Sequence, residues 1–168
     1  MSAKRCNPRV LRVAALTTLI ALLAPSVHAK KPNVPFRASL ITQETLGFNP
    51  AACPMTFLQG TTVASGNATH MGSVTLRSTD CVVQAAGQFT FTDGHLVLTA
   101  ANGDQVIATY SGMLLPSAEF PVYSLTGSYT VIGGTGRFER ATGSGTLQGS
   151  SNIVTGRGAY TATGFISY

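Results

Sequence analysis

Gln88-Phe89-Thr90-Phe91-Thr92-Asp93-Gly94 is the stretch on which the fold reading depends. Aromatic and hydrogen-bonding side chains alternate over its first five residues, the period of a strand with one buried and one wet face. Asp93-Gly94 then offers the positive φ values that a tight hairpin turn needs, so His95 to Ala100 is expected to fold back beside the first run. Asn102-Gly103-Asp104 marks a further turn, and Val106 to Met113 a third run.

The same pattern extends in both directions. Downstream, Pro121 to Ile132 sets Tyr123, Leu125, Tyr129 and Val131 against Ser124, Thr126, Ser128 and Thr130. Ala141 to Gln148 and Ile153 to Ile166 are Gly- and Thr-rich runs of the same kind, and Phe36 to Leu46, Met55 to Ala64 and Thr69 to Arg77 precede them. Short runs at near-regular spacing, with no amphipathic helical stretch between them, predict an all-β antiparallel sandwich or barrel. The last run reaches almost to Tyr168, and closure removes the open edge that a terminal strand would present. The expectation is a single closed barrel of about eight strands. A transmembrane barrel would need an apolar outer band with aromatic girdles, whereas one face here is Ser and Thr, so a water-soluble barrel is expected.

The N-terminus carries Lys4, Arg5, Arg9 and Arg12, an apolar run from Val13 to Ala24, and Val27-His28-Ala29. Basic start, short apolar middle and small-residue end read as a secretory signal peptide over residues 1–29. The apolar run falls short of the roughly 20 residues of a membrane span, so no membrane association is expected after cleavage. Residues 30–35 read as a short flexible segment and residues 36–168 as the barrel. From Lys30 onward the chain holds seven basic and six acidic residues, a net charge of +1. Nothing remains of the basic stripe that a nucleic-acid partner would require. Cys6 leaves with the signal, and Cys53 and Cys81 are expected to form a disulfide in a periplasmic or extracellular setting.

Ile132-Gly133-Gly134-Thr135-Gly136-Arg137-Phe138-Glu139-Arg140-Ala141-Thr142-Gly143 is the most distinctive motif. Its glycines permit positive φ, and Phe138 can then turn inward to plug one end of a barrel. It is not a dinucleotide loop, because Glu139 stands where a third glycine belongs and no βαβ unit surrounds it. The stretch resembles the loop between late strands in the allene oxide cyclase-like barrels and the related dirigent proteins. Asn67-Ala68-Thr69-His70-Met71-Gly72 and Thr99-Ala100-Ala101-Asn102-Gly103-Asp104 are similar to segments of bacterial exported members. The resemblance spans about residues 36 to 168. It implies a barrel holding a small, mostly apolar molecule, with cofactor-free cyclisation or directed coupling as the activities of such families. No catalytic residue is carried over, since fold does not transfer function.

Candidate chemistry in the residues themselves is sparse. His70 and His95 are the only histidines beyond the signal, so neither a metal site nor a cofactor is expected. Glu44 is a lone carboxylate in the first strand. Its default is a solvated position beside Gln43; if it pointed inward, desolvation would raise its pKa and make it an acid–base candidate. His70 is either a general acid–base at the barrel mouth or a turn residue making one hydrogen bond. Arg137 is expected to pair with a carboxylate such as Glu139 or Glu44. Tyr110, Tyr123, Tyr129 and Tyr160 fall on interior faces, as core residues or as contacts for a ligand's polar tip. Three functions stay open: ligand binding, cofactor-free isomerisation or cyclisation by confinement, and a filled barrel serving as a structural or surface interaction module. The near-zero charge and Ser/Thr-rich outer faces are compatible with a homo-oligomer.

Overall fold

The structure, a computed structural model, describes residues 32–168. The segment read as a signal peptide lies outside them. Eight strands follow in order: β1 (Val34–Phe48), β2 (Leu58–Ala68), β3 (Gly72–Ala85), β4 (Gln88–Ala100), β5 (Gln105–Pro116), β6 (Val122–Gly134), β7 (Thr142–Asn152) and β8 (Arg157–Ser167). Each pairs antiparallel with its sequence neighbours, and β8 pairs with β1 to close the barrel. Val34 and Pro35 already sit in register with Ile166 and Phe165, so the sheet begins two residues before position 36.

The expected hairpin at Asp93-Gly94 does not form. Nine alternating runs become eight strands because the runs on either side of Asp93 are one strand, β4. Asp93 has φ of +54° inside it, as the extra residue of a β-bulge. Three β4 steps, from Phe91 to Gly94, face only two on β5, from Gly112 to Tyr110. A residue that can take positive φ serves a bulge as well as a turn. The hairpin from β3 to β4 is instead made at Ala86-Gly87, with φ of +51° and +77°, the signs a two-residue primed turn requires. The bulge also changes which residues face in. Odd positions Phe89 and Phe91 point inward before it; even positions Gly94, Leu96, Leu98 and Ala100 do so after it.

The inward residues divide the barrel lengthwise. Where β1 starts and β8 ends, small and branched side chains such as Ala38, Leu40, Leu76, Val106, Ala108 and Ile166 pack to near-complete burial. This end is stoppered by a 3₁₀ turn, Gly136–Phe138, whose Phe138 ring is fully buried and lies 4.8 Å from the Tyr168 ring. The left-handed backbone at Gly136 (φ +57°) swings the turn over the barrel mouth. The opposite end holds a smaller apolar cluster, Val82, Phe91, Leu114 and Tyr123. There the loop 49–57 is tied to β3 by the Cys53–Cys81 disulfide.

Candidate functional site

Strand alternation, reset in β4 by the bulge, determines most of what lines the open half. Along β3, Val74, Leu76, Ser78, Asp80 and Val82 face inward while Thr75, Arg77 and Thr79 face out. Along β1, Phe36, Ala38, Leu40, Thr42 and Glu44 do the same. The deep residues of each strand are apolar; the next inward positions toward the open end are Thr42, Glu44, Thr62, Ser78 and Asp80. A polar belt on β1, β2 and β3 therefore lies just beyond the packed half. Together with Phe91, Leu96, Leu114 and Leu125 from other strands it lines an inner chamber of about 50 Å³. That chamber shares Glu44, Phe91, Leu114 and Ser151 with an outer one of about 360 Å³, which opens beside Phe89, Ile153 and Val154. Void volume in the stoppered half is only about 30 Å³.

Two carboxylates dominate this belt. Glu44 points inward and is half-buried, so the solvated default does not hold. Burial, and then the charge of Asp80, raise its pKa from 4.5 to about 7. Asp80 is 6% exposed. Burial raises its pKa as well, against the opposing effects of Tyr110 and of the Gly60 backbone. The Tyr110 hydroxyl donates a hydrogen bond to Asp80 Oδ2 at 2.6 Å. The Gly60 backbone lies beside the carboxylate and favours its charged form, while Oδ1 has no partner within strict hydrogen-bond geometry. Gly60 gives both acids their room: a Cβ there would collide with Asp80 Oδ1 and come within 3.0 Å of Glu44 Oε1. Gly94 does the same for Tyr110, since a Cβ would stand 2.7 Å from its ring carbons.

Four tyrosines face inward, at three depths. Tyr110 and Tyr160 line the inner chamber, and burial holds both phenols above their ordinary pKa. Tyr129 packs in the stoppered half against Phe36, at 6.3 Å between rings, and burial pushes its phenol up to about 12. Tyr123 packs edge-on against Phe89 at 5.6 Å in the open-end cluster.

His70 and Arg137 belong to the other end of the barrel. His70 is a turn residue with φ of +65°, its Nε2 within 2.9 Å of the Pro35 carbonyl oxygen and its ring beside Tyr168. Arg137 donates to the His70 carbonyl oxygen and lies over the Phe138 ring. Its carboxylate partner is Asp104, at 3.6 Å, rather than Glu139 or Glu44. The two residues fasten the stopper and do not reach the cavity. Asp80, the best-enclosed acid of the belt, was not singled out from the sequence. Its place in the alternation of residues 74–82 was the available signal.

No family model matches the chain, and no curated protein matches it. Among solved structures, the barrel is similar to that of a pterocarpan synthase dirigent protein, with a TM-score of 0.53 and 13% identity over 90% of this chain and 99% of the other. Likeness at that identity concerns the fold: residues 32–168 form a closed, eight-stranded dirigent-like β-barrel.

Proposed function

We propose that this chain is an exported protein, of the allene oxide cyclase-like kind, that binds one small and mostly apolar molecule in the open half of its barrel. The observation that carries this reading is the lengthwise asymmetry. A barrel serving only as a structural module would be packed throughout, yet one half is packed and the other encloses an outer chamber of about 360 Å³. That volume lies within the range of small-molecule sites, roughly 300–1,000 Å³. Phe89, Phe91, Leu114 and Ile153 supply the apolar walls, and the polar belt would orient the ligand's polar tip. The disulfide fits an oxidising compartment. Among the described residues no helix is long and apolar enough to cross a membrane.

A second reading, cofactor-free isomerisation or cyclisation by confinement, is favoured by Glu44. A carboxyl group with a pKa near 7 can both donate and accept a proton at neutral pH. The fold neighbour's designation as a synthase agrees with it.

Native mass spectrometry of the protein purified from its own host tests the binding reading. A small molecule should accompany the barrel, and Ser151→Phe, which fills the junction of the two chambers, should lose it while the fold is kept. A bare mass, together with no saturable uptake from a panel of small apolar molecules that includes neutral, cationic and anionic members, would overturn it.

A further inference from the structure

Glu44 and Asp80 face one cavity, and neither the inner nor the outer chamber has a lysine, arginine or histidine in its lining. Among the described residues, the one cation that pairs with a carboxylate, Arg137 with Asp104, sits at the stoppered end. The Gln43 amide, in the lining of the outer chamber, is already committed to the Thr155 and Glu44 carbonyl oxygens at 2.8 and 3.3 Å. The four titratable groups of the inner chamber are Glu44, Asp80, Tyr110 and Tyr160, all neutral or anionic. Asp80 is more than nine-tenths buried, lines the chamber and leaves Oδ1 without a partner. A buried carboxylate oxygen in that condition lacks a donor.

Resting on the binding reading above, we infer that the ligand carries a positively charged nitrogen, and that its ammonium group seats between Glu44 and Asp80 with its apolar body in the outer chamber. The ammonium group brings several N–H donors and one charge to a place holding two acceptors and no counter-charge. It meets the vacant Oδ1 and the Glu44 carboxylate together. Phe91 and Tyr110, whose rings lie 5.8 Å apart beside the belt, present aromatic surface of the kind that attracts organic cations. An inorganic cation would leave the apolar walls unused, and no group of three acidic, histidine or cysteine ligands exists among the described residues. A neutral alcohol would bring one donor and no charge to the pair of carboxyl groups.

Three probes with one apolar body separate these cases: 2-phenylethylamine, 2-phenylethanol and 3-phenylpropanoate, each titrated calorimetrically into the mature protein at pH 8. The amine should bind roughly ten- to a hundredfold more tightly than the alcohol, the span expected for a hydrogen bond to a charged group, and the carboxylate should not bind. The preference should shrink as pH falls below 7 and should drop severalfold in Glu44→Gln, a change at a half-buried position whose fold is checked by circular dichroism. Equal or tighter binding of the alcohol, or an unchanged preference in Glu44→Gln, overturns the assignment of ligand class and leaves the binding reading standing. Failure of all three probes to bind counts against both.

Discussion

Glu44 ionises at a cost in this fold, because burial and the nearby Asp80 carboxylate hold its pKa at about 7 instead of 4.5. Unfolding releases it to its ordinary value, so the unfolded chain gives up the proton first as pH rises. Its contribution to stability is therefore complete below about pH 4.5 and is lost as pH climbs through about 7. The full excursion is on the order of 3 kcal/mol. Thermal denaturation should show the wild-type Tm falling by several degrees between pH 5 and pH 8, and Glu44→Gln flattening that slope while raising Tm at pH 8. A wild-type slope that Glu44→Gln leaves unchanged would place the titration elsewhere. The position of Glu44 was only half legible in the sequence. Alternation from Phe36 through Thr42 put it on the inner face, but carboxylates shun burial, and a solvated default was the reasonable reading. What overrides that default is glycine at position 60, across the sheet, and no feature of β1 itself reveals it.

At the scale of the strand, β4 shows how one residue resets a surface. Without the extra residue at Asp93, strict alternation would send either Phe89 and Phe91 or Leu96 and Leu98 to solvent. Gly94 completes the device by letting the Tyr110 ring lie flat across β4 on its way to Asp80. Gly94→Ala should therefore lower unfolding free energy by about 1–3 kcal/mol, the usual range for overpacking a filled site. It should also shift the Tyr110 signal in near-ultraviolet circular dichroism. A loss within 0.5 kcal/mol in urea denaturation would mean that the ring has room to move. The period of β4 was plain from its sequence, but its continuity was not. Asp-Gly suits a primed turn and a bulge equally, and only the residues facing it across β3 and β5 decide between them. Ala86-Gly87 makes the actual turn with a much weaker local signature.

For the molecule as a whole, the closed all-β barrel, an approximate strand number and the burial of Phe138 followed from periodicity and from the glycine-rich motif at 132–143. The division into a packed and a hollow half did not, because it depends on which inward positions of eight strands stand at the same height. Reduction of the Cys53–Cys81 bridge should be felt unevenly across that division. Opening a link of sequence separation 28 removes roughly 3.5 kcal/mol in the chain-entropy account. The freed loop 49–57 borders the open half, where Cys81 directly follows Asp80. Hydrogen exchange of a Cys53→Ser/Cys81→Ser variant should thus accelerate first in 49–57 and 78–83, with protection around Phe138 retained to higher denaturant. Uniform acceleration would show instead that the two halves unfold as one unit.

The order of the strands has a kinetic consequence. Seven of the eight pairings join neighbours in sequence, and one, β1 with β8, brings residues 34–43 against 157–166. Hairpins between neighbours close short loops and form on a scale of microseconds, whereas the final seam must gather nearly the whole domain before its first contact repays the lost entropy. Until that seam forms, β1 and β8 are unpaired edges able to capture a strand from another molecule. The slow and hazardous event in the life of this chain is thus its last pairing, and a partner that shields β1 until β8 arrives would accelerate recovery of the native barrel.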